Sequence, residues 1–140
     1  MAIDKQRLAQ VATAFVEGMT SIRGRRVHRL ILREMADCDV VVPASTALGA
    51  RALLALRADG GVAVCQTDGS GRQATIQRLA SLAGGAVVAA YDLHKDSLPM
   101  LAWTVWHPAL VDAFGSLQVT VADVHADELG RVTEILARWR

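Results

Sequence analysis

Leu8, Val11, Ala12, Phe15 and Met19 recur at three- and four-residue steps, with mostly polar or small residues between them. That period puts the five on one side of a helix and predicts α-structure over 4–19. Asp4 suits its N-cap and Gly18 its stop. After a break at 20–24, Val27, Leu30, Ile31 and Met35 repeat the spacing. They predict a second helix over 25–36, its arginines on the other face. Then the pattern changes. Asp39 to Pro43 is a compact β-branched run, which predicts a short strand. From Ser45 or Thr46 to Ala58 the chain is broadly apolar, with Leu48, Leu53, Leu54 and Leu56. This predicts a buried third helix, ended by Asp59-Gly60-Gly61.

Beyond Gly61 the pattern turns mainly extended. Strands are predicted over 62–67, 86–91, 100–106 and 117–122. Residues 68–71 (DGSG) fit either a hairpin turn before a strand at 73–76 or the start of a helix over 72–83. Ala74, Ile76, Leu79, Leu82 and Ala83 favour the helix. Pro108 opens a short helix to Phe114, and Asp127 caps a last helix to about Trp139. From about residue 62 the order is thus β-α-β-β-α-β, the ferredoxin-like order. The expected fold is α+β: a mostly antiparallel sheet, an N-terminal helical hairpin and a C-terminal helix. With 140 residues, one domain is expected, helical over 1–60 and α+β over 61–140.

Composition adds exclusions. The chain is 52% hydrophobic, too apolar for disorder. No run of about 18 apolar residues exists to span a membrane, and no membrane partner is expected. Met1 to Arg7 reads as no secretory signal. Cys38 and Cys65 form no CxxC pair and sit in apolar surroundings, which suits two buried thiols in a reducing cytoplasm.

The net charge of +1 conceals an asymmetry. Through Arg78 there are 11 Lys/Arg against 7 Asp/Glu, and from Leu79 onward 4 against 7. Arg23, Arg25, Arg26, Arg29 and Arg33 concentrate the excess. The first four are the candidate nucleic-acid contacts, although such a patch is more often a solvated face.

One motif recurs. DLHKDSL at 92–98 and DVHADEL at 123–129 both read D-h-H-x-D-x-L, where h is apolar, and both follow a predicted strand. Alternation in an extended segment points Asp92, His94 and Asp96 one way, and Asp123, His125 and Asp127 are their counterparts. Together they would offer oxygen and nitrogen ligands for a divalent metal, with His107 a possible addition. The simpler reading is strand ends and helix caps. A second candidate is Gly69, Ser70, Gly71 and Arg72, where a Gly-rich turn entering a helix would hold an anion. It has neither the P-loop spacing nor G-x-G-x-x-G. For a nucleophile, only Ser45, Ser70 and Cys65 come forward. Ser45 lacks a G-x-S-x-G elbow and Cys65 lies in an apolar run.

Two segments carry resemblances. Residues 30–72 resemble a winged helix, with a recognition helix over 44–58 and a wing over 62–76. That resemblance implies DNA binding, yet Arg51 and Arg57 are the only cations on that helix. The stretch LASLAGGAVVAAYDL (79–93) resembles the small-residue helix of roadblock-type regulatory domains, which are dimeric adaptors, and would make that segment helical.

The last helix carries an apolar stripe at Leu129, Val132, Leu136 and Trp139, a candidate self-association surface. With no catalytic motif, the expected role is a small cytoplasmic, non-enzymatic binding or regulatory module. It would form a homo-oligomer and take a protein partner more readily than nucleic acid. A winged-helix DNA-binding regulator and a metal-dependent enzyme built on the two D-x-H-x-D segments are the alternatives.

Overall fold

A computed structural model describes residues 1–67, 74–93, 99–110 and 115–139, with backbone alone for 92 and 93. The fold is α+β. Helices α1 (Lys5–Val16) and α2 (Ser21–Glu34) come first. Among the described residues seven strands follow: β1 (Val40–Thr46), β2 (Arg51–Leu56), β3 (Val62–Thr67), β4 (Ala74–Leu79), β5 (Ala86–Leu93), β6 (Pro99–Trp106) and β7 (Leu117–Thr120). Residues 108–110 make a helical turn. Short 3-10 turns at Val121–Asp123 and Ala126–Glu128 lead into α3 (Leu129–Ala137). All seven strands join one antiparallel sheet in the order β4-β3-β2-β1-β7-β6-β5.

The sequence expectation holds for α1, where Asp4 accepts from the Gln6 amide at 2.7 Å. It also holds for β3, β5, β6, β7 and the last helix. It fails in two places. The helix expected over 45–58 is the second half of β1, a turn at 47–50, and β2. Ala52, Leu54 and Leu56 point into one core cluster, Leu53 and Ala55 into the other. A strand covered on both faces reads as an unbroken apolar run, which periodicity cannot tell from a buried helix. The recognition helix of the winged-helix reading is therefore a hairpin, and the sheet runs straight through residue 60. The helix expected over 72–83 is instead β4 over 74–79. Ala74 and Ile76 pack toward one face and Leu79 toward the other, while Leu82 belongs to the following connection. The ferredoxin-like order fails with it, because β3 is followed directly by a strand. The 79–93 segment is likewise strand, connection and strand, not the helix that a roadblock-type domain would place there.

β4 and β5 are consecutive in the chain but lie at opposite edges of the sheet. Flat, six strand spacings would separate them by about 29 Å. The seven Cα steps from Leu79 to Ala86 reach only about 25 Å. The sheet must therefore coil. Its inner face wraps α3, burying Trp103, Val105, Leu117, Val132, Ile135 and Leu136 at 0–1% exposure. One hydrogen bond crosses between the two edges of the sheet, Gln77 Nε2 on β4 to the Ala109 carbonyl beyond β6, 2.5 Å, while Leu82 N–H after β4 bonds the Gly60 carbonyl of the β2–β3 turn at 3.0 Å. On the outer face, α1 and α2 pack Leu8, Phe15, Val27 and Ile31 against Val41, Leu53, Ala63 and Cys65.

Candidate functional site: the open half of the sheet and its borders

The α1–α2 hairpin covers β1 to β4 and leaves the outer face of β5, β6 and part of β7 open. Register identifies what faces out there. Thr104 pairs with Val88 and Gln118, and Ala102 with Ala90 and Thr120. Strand alternation adds Ala86 and Trp106. None of these eight side chains is charged. Val88 is 57% exposed and Trp106 39%. An open antiparallel face is ordinarily polar.

β5 is also an edge strand. The Val87 amide donates to the Trp139 carbonyl, so it points away from β6. By the two-residue period, the N–H and C=O groups of Ala89 and Tyr91 point outward as well. Among the described residues no backbone group meets them. Tyr91 beside them is 76% exposed. The other edge, β4, is defended: Arg78 bonds the Glu34 carbonyl and Asp37, and Gln77 reaches across to Ala109.

A groove of about 370 Å³ runs between α1 and the sheet at the border of the open half. Val11, Phe15, Pro43 and Leu53 form part of its lining, with Arg7, Gln10, Ser45, Arg51 and Asp123 as its polar groups. Arg7 pairs with Glu128 at 2.8 Å. Arg51 lies over the Phe15 ring at 5.6 Å and bonds the carbonyls of Ala14 and Phe15, closing the last turn of α1. Ser45 lies in this groove, and among the described residues the lining holds no histidine or cysteine.

A second groove, of about 360 Å³, is lined by Asp37, Cys38, Arg57, Asp59 and Arg78 among others. Asp37 takes Arg57 at 2.6 Å and Arg78 at 3.0 Å, and Asp59 takes Arg57 at 3.3 Å. Its two arginines and two carboxylates satisfy one another. The Asp59 carboxyl is held low by the Gly61 amide and Arg57. Cys38 and Cys65 are free and buried. Burial, then the nearby Asp37 charge, pushes the Cys38 thiol up to about 11, and burial alone does the same for Cys65. Neither thiol is a nucleophile at neutral pH.

Of the two D-x-H-x-D segments, His94, Asp96 and the Asp92 side chain lie outside the described residues, as do Gly69, Ser70, Gly71 and Arg72. The backbones of the two segments do leave the sheet near each other. Asp92 pairs with Met100, two residues along β6 from Ala102, the partner of Thr120. Among the described residues, no group of three His, Cys, Asp or Glu gathers to hold a metal. His125 has local work: its Nδ1 accepts the Asp127 amide at 3.3 Å. His125 thus caps the 3-10 turn at Ala126–Glu128, while the N-cap of the last helix is Glu128, with no side-chain cap bond, not Asp127 as expected. His107 is also engaged. Its Nδ1 accepts the Ala109 amide, so Nε2 carries the proton and donates to the Ala83 carbonyl, both at 3.0 Å.

The expected interface stripe is used inside the chain. Val132 and Leu136 are 0% exposed, and Leu129 and Trp139 pack partly buried on the same core. Arg23, Arg25, Arg26 and Arg29 lie along α2, half-buried at Arg23 and exposed at the others. Sequence reasoning passed over the exposed Val88, Ala90 and Tyr91. Their signal was present in AVVAAY, six residues without a charge on what proved to be an edge. No family model, curated protein or solved structure matches this chain.

Proposed function

We propose that the chain is a small non-enzymatic binding module of the reducing cytoplasm that self-associates, a second copy adding its β5 to the open edge of the first. One observation carries the reading: β5 presents outward backbone groups at Ala89 and Tyr91 with no charged side chain from Ala86 to Tyr91. Soluble proteins normally blunt such an edge with Lys, Pro or a bulge, because it templates pairing with another strand. Unpaired backbone groups of this kind select a strand as the occupant. A two-fold axis through Ala90 sets each Tyr91 opposite the partner's Ala89, a large side chain against a small one in a hydrogen-bonded pair. It also brings the two uncharged outer faces side by side as a platform for a protein partner.

Sedimentation at high micromolar concentration tests this. The wild type is expected as a dimer. Ala89→Pro removes an outward N–H and leaves the β5–β6 ladder intact, so it should give a folded monomer. Val88→Lys should act in the same direction. A wild type that sediments as a monomer, or a dimer indifferent to both substitutions, sinks the proposal.

A further inference from the structure

The turn between β1 and β2 reads Ala47-Leu48-Gly49-Ala50, with no polar side chain where turns ordinarily carry them. It is a braced turn. Thr46 N–H donates to the Ala50 carbonyl at 2.8 Å, Gly49 N–H to the Thr46 carbonyl at 2.8 Å, and Ala50 N–H to Thr46 Oγ1 at 3.1 Å. Leu48 is held out at 97% exposure. Ile22, at the start of α2, is 72% exposed. The two occupy the same end of the molecule. Arg51, which follows the turn, bonds the last-turn carbonyls of α1, and Gly24 of α2 lies beside Val16 at the end of α1.

Arg23, Arg25, Arg26 and Arg29 follow Ile22 along the first two turns and a little more of α2. None has a carboxylate partner among the described residues, and α2 has no acid in its first turn. Glu17 is the one acidic residue from Lys5 to Arg33. Arg23 lies in the first turn of α2, where positive charge opposes the helix dipole.

We infer that this end docks on an anionic lipid bilayer surface. Leu48 and Ile22 enter the boundary between headgroups and acyl chains, and the arginines meet the headgroup phosphates and carboxylates. Charge complementarity selects an anionic surface, and the exposed aliphatic tip selects lipid over nucleic acid. The exposed face of α2 offers no aromatic ring for base stacking and no Asn or Gln for base edges, and His28 is bonded to Thr13. The sequence-based expectation of no membrane partner rested on the missing span. No helix among the described residues is long and apolar enough to cross a membrane, and a surface contact needs none.

Flotation of the full chain with vesicles tests the inference. It should float with phosphatidylcholine–phosphatidylserine vesicles, stay behind with phosphatidylcholine alone, and be released by salt. Arg25→Ala with Arg26→Ala should weaken partitioning about thirtyfold, at roughly fivefold per arginine. Leu48→Ser with Ile22→Ser should weaken it about tenfold. These side chains are exposed, so both variants should melt as the wild type does. No flotation with phosphatidylserine, equal flotation with phosphatidylcholine alone, or an unaffected Leu48→Ser/Ile22→Ser protein would overturn the inference. So would salt-sensitive retention on DNA or RNA by a protein that does not float.

Discussion

The amide of Val87 donates to the carbonyl of Trp139 at 3.2 Å. This bond joins the start of the β5 edge to the residue two past the end of the last helix. The Trp139 ring lies on the far side of the closure, over Gly60 in the β2–β3 turn. One residue thus fastens two parts of the sheet that a flat arrangement would hold far apart.

Gly60 is the sensitive point of that closure. Its φ is +93°, and a Cβ built there would meet Trp139 Cζ2 at 2.1 Å. Gly60→Ala therefore combines backbone strain with a clash against an aromatic ring. It should lower stability by about 2–4 kcal/mol, read by urea denaturation. Gly49 has φ +84° with nothing within 4 Å of an added Cβ. Gly49→Ala should cost about 1 kcal/mol, from backbone strain alone. Equal effects at the two positions would remove Trp139 from the argument.

Much of the secondary structure was legible in the sequence wherever one face of an element is wet. Leu8, Val11, Ala12 and Phe15 repeat with helical period because solvent covers the other side of α1. β2 was illegible for the opposite reason: helices lie over one face and the coiled core over the other, so no polar beat remains. β4 was misread because Leu79 and Leu82 are in helical register yet reach the same core from a strand and a connection. The open half of the sheet depends on which strands become neighbours. Strand order brings residues 88, 104 and 118 into one row, and no local pattern encodes that.

Asp39 should give the fold an acid-sensitive component. Burial alone would raise its pKa, but three contacts outweigh it. The terminal ammonium at 2.9 Å, the Ala58 amide at 2.8 Å and Arg131 at 2.7 Å hold its carboxyl below the usual value. A depressed carboxylate stabilises the fold above its unfolded pKa of about 4 and loses that contribution as pH falls through the lower folded value. Asp39→Asn should cost about 1–3 kcal/mol at neutral pH. Thermal melts between neutral and strongly acid pH should also flatten in the variant. Parallel curves for variant and wild type would deny Asp39 this role.

The two thiols work at the opposite end of the pH scale. Each is held near 11 in the folded chain, above an unfolded value of about 8.5. The stabilising contribution is complete below the unfolded pKa and is lost as pH rises toward the folded one. The loss should reach about 3 kcal/mol per thiol. At pH 8, alkylation by iodoacetamide should follow global unfolding, so denaturant should accelerate both cysteines together. Rapid labelling of either in the native protein would show an opening that this packing does not contain.

The last helix gives the clearest separation between core and interface. Leu136 is 0% exposed, with Trp103, Val105 and Leu117 in the same cluster. Leu136→Ala removes those contacts and leaves a cavity in the core between the sheet and α3. It should cost about 2–5 kcal/mol. Its effect should appear in the melting temperature, with the sedimenting species unchanged wherever the protein remains folded. Val88→Lys, on the open face, should do the reverse, changing the sedimenting mass with little change in melting of the isolated chain. If Leu136→Ala dissociated a dimer without loss of intrinsic stability, the stripe on the last helix would be an interface after all. The β5 edge would then need another occupant.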